Sequence, residues 1–233
     1  MKVSAALQQS HYPWKDIPGS SHKILLSRIL DAGPGLAVLD LGFGAGQLAR
    51  RIRDRCRYLA GIELDPVAAR EGDPYFDDPV HGDILDGLRG PWREPFDVVV
   101  AGDVLEHLPD PAVALRVLHG LMRPGGLFLC SLPNVANVTV RMSLLAGRFP
   151  YADRGILDRT HLKFFTRKSA VELLTSAGFQ VRRVIPTAMP VELALPWLER
   201  TPLLGAARAA ASVSARAWPT LFGYQFVLEA TPA

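Results

Sequence analysis

Three glycines stand at alternate positions, the first of them two positions after an acidic residue. The apolar run 36–41 contains Asp40, and Gly42, Gly44 and Gly46 follow it. Because glycine has no side chain, backbone N–H groups in such a turn can approach a polar ligand closely, and the N-terminus of a following helix favours negative charge. The pattern predicts a ligand-binding turn between a strand and a helix. The alternative is a tight turn that binds nothing.

Two further acids stand where apolar runs end. Glu63 closes the second run, 23 positions after Asp40, and Asp83 follows a short third run. In nucleotide-binding folds an acid at the end of the second strand accepts hydrogen bonds from ribose hydroxyls. Gln47 occupies the place of a small residue in the dinucleotide fingerprint, and the chain has no Tyr-x-x-x-Lys dyad, so nicotinamide cofactors are disfavoured. For either acid alone, the alternative is an ordinary solvated carboxylate.

Two histidines are candidates for proton transfer. His107 follows the fourth apolar run, at the sheet edge where ligands bind in open α/β folds, and His161 precedes a helix that Thr166 could cap. Imidazole titrates near neutral pH, so it is well suited to remove a proton from a hydroxyl group. For His107, the alternative is that it orients the turn at 108–110.

The stretch 134–166 is longer than most connections in compact domains, and loops of this length usually cover a site. We therefore predict a lid insertion after the fifth strand. Between positions 134 and 168, seven basic residues face two acidic ones. One hypothesis is an anionic acceptor held by arginines, and the alternative is a solvated basic face. The candidate acceptor-binding residues are Arg141, Arg154 and Arg159.

The elements that must position these residues alternate along the chain. Apolar runs of strand length alternate with segments of helical period, which predicts an α/β fold with a mostly parallel sheet and helices on both faces. Pro66 suits the first position of a helix and Gly178 the C-terminal cap of another. Strands are predicted at 36–41, 58–63, 79–81, 96–101, 127–132, 179–185 and 221–229, and helices at 20–30, from 47 into 50–57, at 112–122 and at 167–177.

The motif Asp40-x-Gly-x-Gly-x-Gly resembles motif I of the class I S-adenosylmethionine-dependent methyltransferases. Segments 96–108 and 121–126 are similar to the fourth motif of that family and to the turn before its fifth strand, and the resemblance covers residues 36–185. It implies a Rossmann-like sheet of seven strands with an antiparallel last strand. It also implies S-adenosyl-L-methionine as cofactor and S-adenosyl-L-homocysteine as product. Methyl transfer from this cofactor requires no metal, so no metal is predicted. The cofactor-binding residues that it indicates are Asp40, Gly42, Gly44, Gly46, Glu63, Leu64, Asp83, Ile84 and Asp103.

Methyl transfer is an in-line displacement, so the protein mainly has to align donor and acceptor. An oxygen acceptor must also lose a proton, and the two histidines favour oxygen over nitrogen or carbon. The stretch 132–166 is similar to bacterial methyltransferases of small-molecule and cell-surface glycan biosynthesis. We therefore predict O-methylation of a hydroxyl on a small molecule or glycan intermediate, with His161 or His107 as base. The alternatives are N- or C-methylation and a non-catalytic, methyltransferase-like binding subunit.

Composition restricts the partners and the location. The net charge is +3 with a pI near 9.0, but the basic residues are spread along the chain, so nucleic-acid binding is not expected. The two cysteines, Cys56 and Cys130, fall in a predicted helix and a predicted strand, so neither a disulfide nor a metal site is expected. No apolar stretch near the N-terminus is long enough for a signal peptide, which predicts a cytoplasmic protein.

The chain is expected to form one domain of four parts. These are a cap at 1–35, a cofactor-binding half at 36–133, the lid at 134–166 and a completing segment at 167–233. The basic, apolar stretch 199–220 could contact the inner face of a membrane, cover the sheet or form a dimer interface, and packing is favoured because alanines suit close helix contacts. The expected state is a monomer or a homodimer.

Overall fold

One mixed sheet of seven strands runs through the domain, in the order β3-β2-β1-β4-β5-β7-β6. The computed structural model describes Trp14, residues 16–194 and residues 196–233. Strand β7 is antiparallel to both of its neighbours, and the other pairs are parallel, which confirms the predicted fold class. The strands are β1 (Leu36–Leu41), β2 (Cys56–Glu63), β3 (Asp78–His81), β4 (Phe96–Gly102), β5 (Met122–Pro133), β6 (Phe179–Pro186) and β7 (Gln225–Pro232).

Helices cover both faces of this sheet. Because side chains alternate along a strand, β1 sends Leu39 to one face and Val38 to the other, and each joins a separate buried cluster. The helices are α1 (Ser21–Asp31), α2 (Ala49–Ile52), α3 (Pro66–Gly72), α4 (Ile84–Gly87), α5 (Pro111–Leu121), α6 (Val138–Leu145), α7 (Arg167–Ser176), α8 (Val191–Ala194), α9 (Leu204–Ala217) and α10 (Pro219–Phe222). Helices α5 and α7 pack on the Leu39 face, and α1 and α2 pack on the Val38 face.

Local sequence signals set several helix ends as predicted. Pro66 opens α3, where its missing N–H costs nothing, and the carboxylate of Asp65 accepts from the Val67 N–H at 2.8 Å. Thr166 caps α7 in a reciprocal capping box with Ser169. Gly178 follows α7 with a φ of +90°, the left-handed conformation of a helix C-terminal cap.

Several predicted boundaries differ from the structure, three of them for a clear physical reason. The helix expected through Arg57 ends at Ile52 and is followed by a short 3-10 turn, so that Cys56 already begins β2. Strand β5 begins at Met122, because the expected breaker at 123–126 is an irregularity inside the strand, between the pairs Phe96–Met122 and Val98–Leu127. The last strand begins at Gln225, because Pro219 opens the short helix α10 before it.

The C-terminal stretch packs less than expected. Within α9 only Ala215 is buried, so this helix does not cover the sheet as the packing interpretation requires. The side chains of Trp197, Leu203, Val213 and Trp218 are all exposed. Membrane contact and a dimer interface both stay predictions for this stretch. No helix among the described residues is long and apolar enough to cross a bilayer.

Candidate active site

The glycine turn joins β1 to the segment that leads into α2. Gly42, Gly44 and Gly46 have φ values of +66°, +54° and +69°, a region that strongly favours glycine. A Cβ at Gly42 would lie 2.7 Å from a methyl carbon of Val104, and one at Gly46 would lie 2.8 Å from the ring of Tyr75. A Cβ at Gly44 would meet nothing within 4 Å. The turn is therefore tightly packed at its two ends and open at Gly44.

Glu63 closes this turn from the end of β2. One carboxylate oxygen accepts from the Gly44 N–H at 2.7 Å, and the other accepts from the Asp65 N–H at 2.8 Å. The fold thus brings Glu63 to the glycine turn, although 19 positions separate it from Gly44. Leu64, the next residue, has an exposed side chain at the same edge of the sheet.

Asp40 lies beneath the turn, near the end of β1. Its side chain is 4% exposed, and among the described residues its Oδ2 has no hydrogen-bond partner. Burial, together with the nearby negative charge of Glu63, raises the pKa of Asp40 to about 8. A buried acceptor oxygen without a donor, below an open glycine turn, fits a ligand that carries N–H or ammonium groups. The amino-acid part of S-adenosylmethionine is such a ligand.

The other predicted cofactor residues lie at neighbouring strand ends. Asp83 is exposed and caps α4 by accepting from the Leu85 N–H at 2.8 Å, while Ile84 beside it is buried. Asp103 follows β4 with a φ of +56°, the one positive value among the described non-glycine residues. Backbone strain of this kind is often found at functional sites. The Asp103 carboxylate accepts from the side-chain amide of Gln225 at 3.0 Å.

The two predicted histidines meet at the end of β4. Their ring centroids are 4.9 Å apart, in an edge-to-face arrangement. His107 Nδ1 lies 3.2 Å from the carbonyl oxygen of Thr160, and His161 Nδ1 lies 3.1 Å from that of Ile156. A carbonyl oxygen can only accept, so each Nδ1 carries a hydrogen, and in the neutral form of each ring Nε2 has the lone pair. Burial, together with the neighbouring His107, lowers the pKa of His161, which favours this neutral form.

A third side chain joins the pair. Glu106 is 1% exposed, and its Oε1 lies 4.0 Å from His161 Nε2. Glu106 is not among the site residues predicted from the sequence. The signal that could have identified it is an acid directly before His107, at the sheet edge where ligands bind. We call Glu106, His107 and His161 the histidine–glutamate cluster.

The segment 134–166 supplies His161 to this cluster. Asn134 pairs with Phe165, so the two ends of the segment meet. The N–H groups of Leu162 and Lys163 donate to the carbonyl oxygen of Glu106 at 2.9 and 3.0 Å. These contacts hold the segment against the loop after β4 and fix the position of His161 relative to His107. That the segment acts as a lid stays a prediction.

The predicted acceptor-binding arginines are exposed. Arg141 donates through Nε to the carbonyl oxygen of Ala136 at 2.6 Å, and Arg159 forms an ion pair with Asp153 at 2.8 Å. Two of the three arginines therefore contact their own segment. Their role in binding an anionic acceptor stays a prediction, as does that of the exposed Arg154.

A family model described as a methyltransferase domain matches residues 21–184. The chain belongs to this methyltransferase family. It is 32% identical over 160 residues to a ubiquinone biosynthesis O-methyltransferase of Ruegeria pomeroyi, covering 63% of this chain and 60% of that protein. It is 31% identical over 162 residues to a probable S-adenosylmethionine-dependent methyltransferase of Mycolicibacterium smegmatis, covering 69% and 58%. The matches thus span about three fifths of these relatives.

Solved structures share the fold of this methyltransferase. A SAM-dependent methyltransferase from Archaeoglobus fulgidus superposes with a TM-score of 0.63 at 19% identity, covering 91% of this chain and 95% of that one. A magnesium protoporphyrin IX methyltransferase from Synechocystis, with bound S-adenosylhomocysteine, gives 0.60 at 17%, covering 91% and 82%. Family and fold together confirm the predicted cofactor, S-adenosylmethionine.

Proposed function

We propose that this methyltransferase transfers a methyl group to a hydroxyl oxygen of a small-molecule or glycan-intermediate acceptor. The observation that carries the proposal is the pair of imidazoles at the end of β4, each oriented by a backbone carbonyl at Nδ1, which leaves Nε2 as the nitrogen that can take a proton. An oxygen nucleophile needs such a group, because a neutral hydroxyl must lose its proton as it attacks. The Ruegeria relative is named an O-methyltransferase, which supports oxygen as the acceptor atom.

The glycine turn and its acids hold the cofactor in this proposal. The Glu63 carboxylate binds the ribose hydroxyls, the Asp40 Oδ2 accepts from the ammonium group, and Gly44 leaves room for the chain between them. Asp83 and Ile84 contact the adenine ring. Leu64 and Asp103 complete the edge formed by the ends of β2 and β4. When bound, the cofactor supplies a methyl carbon that its sulfonium charge activates for displacement.

The histidine–glutamate cluster positions and deprotonates the acceptor. His161 Nε2 takes the hydroxyl proton as the oxygen–carbon bond forms and the carbon–sulfur bond breaks, which leaves a neutral thioether. His107 packs against the ring of His161 and holds it in place. General base assistance of this kind contributes about 10²-fold or more to the rate. If the acceptor is anionic, Arg141, Arg154 and Arg159 are the cations that its charged group would meet.

The first test concerns the cofactor. Isothermal titration with S-adenosylhomocysteine should show one site, and Glu63→Ala should weaken it about 30-fold or more, because hydrogen bonds to a charged group contribute about 1.5–3 kcal/mol each. Glu172→Ala, which removes an exposed carboxylate on α7, is the matched control and should bind as the parent does. No heat with the parent protein, or no change in Glu63→Ala, would contradict the proposal.

The second test concerns the acceptor atom. Three aromatic acceptors that differ only in carrying a hydroxyl, an amine or a methoxy group at one position should be offered with methyl-labelled cofactor. We expect label on the hydroxyl compound alone, and a rate at least about 10-fold lower for His161→Asn. Transfer to the amine instead would favour N-methylation. Cofactor binding without transfer to any acceptor would favour the non-catalytic alternative.

A neighbour with the same fold shows why this test is needed. The [4+2]-cyclase SpnF superposes with a TM-score of 0.57 at 21% identity and covers 90% of this chain. Its name describes a reaction other than methyl transfer, so the fold alone does not determine the chemistry.

A further inference from the structure

The histidine–glutamate cluster has the composition of a metal site. Glu106, His107 and His161 each offer one ligand atom, and these three atoms lie within 4.8 Å of one another. Two imidazoles and one carboxylate are a common donor set for divalent transition-metal ions with open coordination positions. Ligand atoms around one ion are roughly 3–3.5 Å apart, because each bond is about 2.1 Å long. Small side-chain rotations would therefore close the cluster onto a cation.

The second observation is how the imidazoles are held. Metal-binding histidines usually donate their other ring N–H to a carbonyl or carboxylate, which fixes the ring and its tautomer. His107 and His161 both do so, to the backbone carbonyls of Thr160 and Ile156, and both keep Nε2 as the available ligand atom. A single contact of this kind is common. Here both of two facing histidines make it, as metal-binding histidines usually do.

The third observation concerns Glu106. Its Oε1 is 4.0 Å from His161 Nε2, too long for a direct hydrogen bond, and a cation between the two atoms would coordinate both. A carboxylate and two imidazoles that ligate through Nε2 carry one negative charge between them, which a divalent cation would offset. The contacts of Leu162 and Lys163 with the Glu106 carbonyl hold the ligands from both segments together.

We propose that Glu106, His107 and His161 bind a divalent transition-metal cation, such as Zn²⁺, Mn²⁺, Fe²⁺ or Co²⁺, and leave coordination positions for oxygen atoms of the acceptor. The cysteines and the needs of methyl transfer give no reason to expect a metal. The two histidines lie 54 positions apart, so the sequence does not show that they meet.

The catalytic consequence rests on the proposed function, whereas the binding itself does not. An acceptor with two neighbouring hydroxyls could coordinate such a cation through both oxygens, and the cation would lower the pKa of the attacking hydroxyl. When the cation is bound, His161 serves as its ligand, and the hydroxyl proton passes to a water molecule. Without the cation, His161 Nε2 is the base of the proposed function. The cation acts as a Lewis acid that makes the hydroxyl easier to deprotonate.

Binding is tested on the full chain after treatment with a chelator. Titration with Co²⁺, followed by its visible absorption, should show one saturable site. His161→Gln and Glu106→Gln should each weaken binding about 10-fold or more, and His119→Gln, whose histidine packs against Phe179 outside the cluster, should not. Thermal unfolding and S-adenosylhomocysteine affinity establish that each variant folds. The absence of a saturable Co²⁺ site in the parent protein, or parent-like binding by both folded cluster variants, overturns the proposal.

Activity then separates the two proposals. Methylation of an acceptor with two adjacent hydroxyls should fall at least 10-fold in chelator and return with added Mn²⁺ or Co²⁺, while S-adenosylhomocysteine affinity stays constant. Saturable Co²⁺ binding with unchanged methylation would retain the site and overturn its catalytic consequence. If the parent protein does not bind S-adenosylhomocysteine, the proposed function is overturned. The Co²⁺ titration would then still test the metal site.

Discussion

The glycine turn and the histidine–glutamate cluster follow paired positions of two adjacent strands and yet are built in different ways. Leu41 at the end of β1 pairs with Ala101 near the end of β4, and the two sites begin just beyond them. The turn is formed by backbone geometry within one short stretch, closed by Glu63. The cluster is formed by side chains from two distant stretches, and the segment 134–166 holds them together. Under the proposed function, cofactor binding is thus encoded locally, and acceptor binding depends on long-range contacts.

The largest effect expected on the cofactor side is the pH dependence of Asp40. Its pKa is about 8 in the fold and about 4 in the unfolded chain, so unfolding between these values releases a proton. Relative to Asp40→Asn, the parent protein should therefore lose about 3–4 kcal/mol of unfolding free energy as the pH rises from 5 to 8. Denaturant unfolding of both ligand-free proteins across this range measures the change.

The slope of this difference against pH matters more than its value at one pH. A constant offset between Asp40→Asn and the parent protein reflects packing and does not test the titration. Asp86→Asn, at an exposed carboxylate on α4, controls for the removal of one surface charge. A flat difference between Asp40→Asn and the parent would show that Asp40 is not held protonated beneath the turn.

Two glycines with the same φ separate backbone strain from crowding. Gly46 in the glycine turn and Gly147 after α6 both have φ of +69°, but a Cβ would meet Tyr75 at 2.8 Å in the first and nothing within 4 Å in the second. Gly147→Ala should cost about 1 kcal/mol of strain, and Gly46→Ala about 3 kcal/mol. By thermal unfolding, the first should lower Tm by about 2–4 °C and the second by at least twice as much.

Equal losses for the two alanine variants would contradict the comparison. They would mean that the left-handed backbone alone limits both positions and that the end of the glycine turn can relax around a methyl group. The affinity for S-adenosylhomocysteine gives a second measurement. It should fall in Gly46→Ala and stay unchanged in Gly147→Ala.

The contrast between local and long-range contacts also explains which features could be predicted from the sequence. Strand β1 was predicted at its exact limits, because a continuous apolar run between polar turns has one simple solution in a parallel sheet. The end of the second run at Glu63 was also predicted, and the pairing of β1 with β2 brings that strand end beside the glycine turn. The start of β5 was missed because glycine and proline suggest a break, while the pairing with β4 tolerates them as an irregularity. The start of β5 depends on its pairing with a neighbouring strand, so the sequence of the segment alone does not predict it.

The cluster was harder to predict for a related reason. His107 and His161 were each proposed as a base, but their contact depends on how the segment 134–166 folds back onto the loop after β4. No periodic pattern in the sequence predicts that the segment folds back onto this loop. It is set by buried side-chain hydrogen bonds, such as those of Asn134 and Asn137 to the carbonyl oxygen of Gly223.

The smallest effects are expected from the removal of two helix caps. One cap lies in the segment 134–166 and the other lies beside Glu63. Asn137 caps α6 in the segment 134–166, where its Oδ1 accepts from the Thr139 N–H at 3.0 Å, and Asp65 caps α3 beside Glu63. Alanine at either position should cost about 1–2 kcal/mol of stability. Asn137→Ala should raise the acceptor KM several-fold and leave S-adenosylhomocysteine affinity within about 2-fold. Asp65→Ala should weaken S-adenosylhomocysteine binding several-fold and change the acceptor KM little.

The result of this pair decides whether the two sides are energetically separate. The backbone N–H of Asp65 donates to Glu63. If the first turn of α3 becomes less ordered, we therefore expect weaker cofactor binding through the Glu63 carboxylate. Asn137 reaches the cluster only through the position of its segment. If both variants weaken S-adenosylhomocysteine binding equally, the segment 134–166 also supports the cofactor site, and the division between local and long-range encoding fails. If they separate as expected, acceptor specificity can change in this segment without a loss of cofactor binding.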